Sequence, residues 1–139
     1  MTSTIFFVPG EPKPQPRARA TVRGGHARMY NPSTADAWKT AVRVAASEAG
    51  LMGEALDCPI KLELQFQFQR PTSHSTKAGI KPSSPQYHTQ RPDLDNLAKA
   101  VMDALTDVGV WEDDDQVFDL RVTKGWEPKT SGCWVTIWK

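Results

Sequence analysis

The run Ile60–Gln69, IKLELQFQFQ, puts Ile60, Leu62, Leu64, Phe66 and Phe68 at every second position, with Lys61, Glu63, Gln65, Gln67 and Gln69 between them. Successive side chains of a strand point to opposite faces, so this period of two makes one buried face and one wet face. On a helix the same five apolar residues would be dispersed around the axis. The chain must therefore build a sheet, and other elements must cover its apolar side.

Two segments have the pattern to do so. In NPSTADAWKTAVRVAASEAG, Ser33 or Thr34 is placed to cap a helix that ends before Gly50, with Trp38, Ala41, Val42, Ala45 and Ala49 as its core stripe. From Leu94, a second amphipathic pattern sets Leu94, Leu97, Val101, Ala104, Leu105 and Val108 on one side and Asp95, Asn96, Lys99 and Asp103 on the other, ending at Gly109. Further strands are expected over Ile5–Val8, Val117–Thr123 and Cys133–Trp138. A chain of 139 residues without internal repeats suits one domain spanning 1–139. The expected fold is a small α+β domain, a mixed β-sheet with two main helices on one face.

Two stretches stand outside this frame. From about 9 to 28 the chain is Pro- and Arg-rich: Pro9, Pro12, Pro14 and Pro16 forbid a helix, and Gly24-Gly25 marks a hairpin turn. From about 70 to 90 a long polar loop carries His74, Lys77, Lys81 and His88. Loops of that length within one domain are usually functional or disordered, and this one is placed to order on binding a ligand. His88 reads as a solvated loop residue, although contact with DNA or metal stays open. Trp38 and Trp134 read as core; Trp111 is placed to pin the corner after the second helix. For Trp126 and Trp138, core packing is the cheaper assumption over base stacking or a dimer interface.

Composition excludes some classes. No apolar run approaches a membrane span, and the N-terminal residues lack the basic start of a signal peptide. Cys58 and Cys133 make neither a disulfide framework nor a metal-ligand pattern. These features fit reduced thiols in a bacterial cytoplasm. The formal net charge of +1 hides an asymmetry, because residues 1–50 hold seven Lys/Arg and three Asp/Glu while residues 91–139 hold six and ten. One part should attract polyanions, and the other repels them unless a cation intervenes.

The acids concentrate in RPDLDNLAKAVMDALTDVGVWEDDD, with eight carboxylates and two cations from Arg91 to Asp115. Much of this suits an ordinary solvated helix. Asp93 is a good N-cap, Asp95 lies in the first turn where the dipole favours it, and Lys99 can pair with Asp95. Asp103 and Asp107, however, sit toward the unfavourable end, and Glu112 to Asp115 are consecutive acids entering a strand. A short turn after Gly109 can return this corner to the polar face of the helix. Asp93, Asp95 and one corner aspartate would then suit Mg²⁺, a hard cation that works on phosphates. Lys99 is placed to stabilise charge on a phosphate.

RPDLDNLAKAVMDAL followed by GVWEDDDQV resembles the signature of the RusA-type Holliday junction resolvases, small dimeric endonucleases often carried by phages and prophages. The match is close from Arg91 to Val117, with looser echoes in VPGEPKPQPRARA and MYNP. The resemblance implies metal-binding carboxylates at Asp93, Asp95 and Asp114 and a catalytic lysine at Lys99, with Asn96, Asp103 and Asp113 in support. Glu112 and Asp115 extend the acidic corner on both sides, which leaves open whether Asp113, Asp114 or Asp115 faces the metal. It further implies a homodimer that cuts four-way DNA junctions with Mg²⁺, which Mn²⁺ can replace, without an organic cofactor or a membrane. DNA contacts are expected from Lys13, Arg17, Arg19, Arg23, Arg28, Lys77 and Lys81, while ordinary surface pairing is the alternative for the arginines. Three rival readings have different consequences. In a non-catalytic binder of branched DNA, of phage origin, the acids only rigidify a turn. A haloacid-dehalogenase-type phosphohydrolase needs a buried strand before its DxD, which YHTQRP is not. An acidic module mimicking DNA fits poorly with the arginine-rich arm.

Overall fold

The computed structural model describes residues 1–30 and 32–139; Asn31, part of the MYNP echo and of the first helix's leading segment, lies outside the described residues. The central sheet has four strands in the order β1 (Ser3–Pro9), β8 (Gly132–Trp138), β4 (Ile60–Gln69), β7 (Val117–Glu127). β8 is antiparallel to both β1 and β4, whereas β4 and β7 run parallel, so the sheet is mixed. The alternation in β4 does what it dictates. Ile60, Leu62, Leu64, Phe66 and Phe68 are all buried, in register with Val8, Cys133, Val135 and Ile137 from the neighbouring strands. Each such side chain contributes about 1.5–3 kcal/mol on burial.

Helices α1 (Asp36–Glu48) and α2 (Leu94–Asp107) cover this face. Both end in the same way. After α1, Gly50 donates to Ser47 O and Leu51 to Ala46 O; after α2, Gly109 donates to Thr106 O and Val110 to Leu105 O. That pair of reversed bonds needs a left-handed residue, and Gly50 and Gly109 supply φ of 79° and 81°. The start of α1 differs from expectation. Ala35, not Ser33 or Thr34, holds the cap position without a side-chain bond, because Asp36 N donates to the backbone oxygen of Ser33 instead.

The Pro/Arg segment contains a hairpin, β2 (Arg19–Arg23) and β3 (His26–Tyr30), closed by Gly24 and Gly25 at φ 57° and 81°. Two positive φ angles make the tight turn that matches strand twist. The 70–90 segment is less loop-like than its composition. It contains a single turn at Thr72–His74 and the two-residue strands β5 (Ser75–Thr76) and β6 (Gly79–Ile80). Lys81 N and Ser84 Oγ both donate to His74 O.

Three assignments change. Trp134 is not core: it lies on the uncovered face of the sheet, 40% exposed, with its ring 5.0 Å from that of Phe7. Its position in β8 alternates with Cys133 and Val135, which claim the buried face. His88 is buried rather than solvated, its ring 4.6 Å from Phe68 and 4.2 Å from Trp126. Desolvation, then the nearby Lys124 charge, pushes its pKa below the usual histidine value. Strand β7 continues to Glu127, past the expected end at Thr123.

Candidate active site

The acidic residues are presented by two pieces of chain, each fixed by its own hydrogen bonds. The first is the start of α2. Asp93 occupies the cap position, and its carbonyl accepts from Leu97 N at 3.0 Å, but its carboxylate makes no capping bond. Among the described residues, neither Asp93 nor Asp95 has an ion pair or side-chain hydrogen bond. Lys99 pairs with Asp103 at 3.8 Å rather than with the expected Asp95. Both partners are spaced i, i+4, and Lys99 has chosen the acid C-terminal to it. Asp107, unfavourable beside the helix C-terminus, is relieved by Arg43 at 3.0 Å.

The second piece is the corner Trp111–Gln116. Trp111 is buried, and its indole Nε1 donates to Thr106 Oγ1 at 2.7 Å, which pins the corner to α2 as expected. Gln116 organises the acids. Its Oε1 accepts from Glu112 N and Asp113 N at 2.9 and 3.0 Å, while its Nε2 donates to Leu56 O and Cys58 O at 2.8 and 3.1 Å. Asp113 spends its carboxylate locally, accepting from Asp115 N at 3.1 Å. Asp114 is the half-buried acid of the corner and stands in the field of the helix. Desolvation raises its pKa first, followed by a bond with Asp113 and the charges of Asp113 and Asp103; Lys99 acts in the opposite direction.

Asp114, Asp103, Asp113 and Lys99 thus interact electrostatically, with Asp93 and Asp95 farther toward the start of the same helix. No three His, Cys, Asp or Glu side chains among the described residues already form a group able to hold an ion. The donor chemistry nevertheless fits a hard divalent cation. Among the described residues Asp93 and Asp95 keep their carboxylates without partners at the start of α2, and Asp114, its pKa raised by desolvation and then by neighbouring carboxylates, lies near Asp103 of the same helix.

The expected DNA-contact residues fall into separate groups. Arg17 comes close to the acidic face: a cleft of about 370 Å³ is lined by Pro14, Arg17, Arg91, Pro92, Asp93 and Asn96, and a neighbouring one of about 430 Å³ includes Arg17, Asn96, Lys99 and Asp103. The arm is tied there by Gln15 N donating to Asn96 O at 2.9 Å. Arg19, Arg23 and Arg28 instead share one face of the hairpin with Thr21, His26 and Tyr30, as cross-strand register requires. Every residue of that hairpin is exposed. Lys13 pairs with Glu11 at 3.6 Å, Lys77 lies in the exposed β5–β6 turn, and Lys81 is half-buried. Two residues that the sequence did not single out are Arg91, in the first cleft, and Lys124, whose Nζ donates to Gln90 O and Pro92 O. Lys124 was detectable in principle, because it falls among Val122 and Trp126 on the buried register of β7.

Comparison with known proteins gives a consistent outcome. The family model described as Endodeoxyribonuclease RusA matches residues 9–137. An uncharacterized protein of Bacillus subtilis (strain 168), YqaN, is 32% identical over 122 residues, covering 86% of this chain and 84% of that protein. The crossover junction endodeoxyribonuclease RusA of Escherichia coli (strain K12) is 58% identical over 43 residues, 31% of this chain and 34% of its own length. The protein of that name from Enterobacteria phage 82 matches to the same extent.

Proposed function

Because the chain belongs to the RusA endodeoxyribonuclease family, we propose that it is a Mg²⁺-dependent, structure-specific endodeoxyribonuclease that resolves four-way DNA junctions. The observation that carries this reading is the half-buried Asp114 within electrostatic reach of Asp103 and Lys99 on α2, at whose start Asp93 and Asp95 have, among the described residues, no side-chain partner. Asp93, Asp95 and Asp114 hold the cation, and Mn²⁺ can replace Mg²⁺. When bound, such a cation lowers the pKa of a water and offsets phosphate charge.

The chain's own groups do the rest. The attacking water forms a new O–P bond as the P–O3′ bond breaks, leaving a 5′-phosphate and a protonated 3′-hydroxyl. Lys99, oriented by Asp103, neutralises the charge that grows on the phosphate oxygens. Asn96 supports the same helix face from between the two clefts, and Asp113 supports it by capping the corner. Arg17 holds the strand beside the acids, while Arg19, Arg23 and Arg28, aided by Lys13, Lys77 and Lys81, hold phosphates farther away. Two symmetric cuts require two sites, which a two-fold homodimer supplies.

The setting is DNA recombination and repair in the cytoplasm of a bacterial host, with the bacterium itself, a phage or a prophage as source; no helix among the described residues is long and apolar enough to cross a membrane. The whole 1–139 segment acts as one endonuclease domain. The fully exposed hairpin with Arg19, Arg23 and Arg28 on one face favours one second reading, a non-catalytic binder of branched DNA. Mapping the products of an end-labelled four-way junction separates the two. Paired nicks at symmetric positions in Mg²⁺, absent with EDTA and on linear duplex, support resolution; retention of the junction without cleavage in Mg²⁺ or Mn²⁺ supports the binder.

A further inference from the structure

Strand β7 places Val122, Lys124 and Trp126 opposite Leu64, Phe66 and Phe68 of β4. Those three partners are 0%, 2% and 7% exposed, so Lys124 projects on the helix-covered side of the sheet, at the margin of the core. An ammonium there costs desolvation unless its protons are used. Two of them are: Lys124 Nζ donates to Gln90 O at 2.6 Å and to Pro92 O at 2.8 Å. Both carbonyls belong to the segment that leads into Asp93. Two residues before Gln90, His88 is stacked between Phe68 and Trp126, so the strand grips this segment at successive points.

The consequence concerns the acids. Asp93 has no side-chain capping bond of its own, and Asp95 has no partner among the described residues. Their positions are therefore inherited from the backbone at the start of α2. At the opposite end of the same strand, Gln116 fixes the corner that carries Asp114. The strand and the short turn that leads into it thus clamp both halves of the acidic face.

We infer that Lys124 is a positioning residue for the metal site: by holding the Gln90 and Pro92 carbonyls, it sets Asp93 and Asp95 where a divalent cation can join them to Asp114. This rests on the nuclease reading above. Lys124 touches neither acid and is not itself a catalytic residue. Groups that orient metal ligands from behind typically change affinity by 10–100-fold when removed.

The test uses the intact protein and Mn²⁺ alone, without DNA, followed by calorimetry, with junction cleavage and thermal melting measured in parallel. Lys124→Met should weaken Mn²⁺ binding by about 10-fold or more. It should also lower kcat on the junction with little change in KM. Lys124→Arg, which can donate to both carbonyls, should restore most of both losses, and Lys124→Gln should fall between them. Lys61→Met, on the open face of β4, should change neither. If Lys124→Met does not fold, the Arg and Gln variants carry the comparison. Native protein that binds Mn²⁺ and cuts junctions, beside Lys124 variants that differ only in melting temperature, would overturn the positioning role alone. Native protein that neither binds Mn²⁺ nor cuts would overturn the nuclease reading, and the positioning role with it.

Discussion

Gln116 makes four hydrogen bonds with one amide, and truncating it to alanine should be costly out of proportion to its size. Two of its partners, Glu112 N and Asp113 N, are exposed and can turn to water; the other two, Leu56 O and Cys58 O, are in part-buried contacts and cannot do so fully. A net value near 1 kcal/mol for each ordinary bond, with more for a stranded buried group, gives about 2–4 kcal/mol for Gln116→Ala. With a urea m-value of about 2 kcal/mol/M, the unfolding midpoint should fall by roughly 1–2 M. Gln116→Glu dissects the sum. It retains the acceptor toward the two amides but loses both donors and faces two carbonyl oxygens with a charge, so it should cost at least half as much at pH 7. Both variants should also cut junctions more slowly, because the corner carrying Asp114 loses its frame. The reasoning fails if alanine costs less than about 0.5 kcal/mol, the size of an ordinary surface change, or if the glutamate variant matches the native protein.

Asp114 supplies a prediction of opposite sign. Its raised pKa means that the folded chain binds this proton more tightly than the unfolded chain, so the associated stability is present in acid and lost as pH rises through the raised value. At pH 7, without metal, Asp114→Asn should therefore stabilise the fold slightly and raise its melting temperature, by at least the ~0.2–0.5 kcal/mol of one relieved like-charge contact once desolvation of the charge is added, and the gain should vanish in acid below the ordinary aspartate range. An unchanged or lower melting temperature at pH 7 would contradict the electrostatic assignment. Replacing Arg19, Arg23 and Arg28 together by alanine should weaken junction binding and reduce the salt slope of log K by about one per lost phosphate contact. An unchanged slope would remove the hairpin from the DNA interface.

The sequence carried the fold wherever side-chain periodicity was enforced by a neighbour. The alternation of β4 placed its buried face correctly, and Gly50 and Gly109 marked the helix ends because only a left-handed residue completes those closing bonds. It failed where two partners competed for one group. Lys99 had acids on either side and pairs with Asp103, while Ser33 lends its backbone rather than its hydroxyl to α1. Trp134 reads as core in the sequence, although its neighbours Cys133 and Val135 occupy the buried register. At the candidate site, the residue types and the return of the acidic corner toward α2 were legible, whereas the choice among Asp113, Asp114 and Asp115 was not, because three consecutive acids carry the same local signal. The clamps were not: the alternation of β7 marks Lys124 as inward-facing, but the backbone carbonyls that Lys124 and Gln116 hold are distant in sequence, and no local pattern encodes those partners.

The most direct test of the central claim compares the native protein with Asp95→Asn and Asp114→Asn on one end-labelled four-way junction in Mg²⁺, scoring binding and cleavage separately. The expected result is paired nicks from the native protein alone, with both variants retaining the junction but leaving it intact. Cleavage by either variant at the native rate would show that the acidic face of α2 and its facing corner do not perform the chemistry.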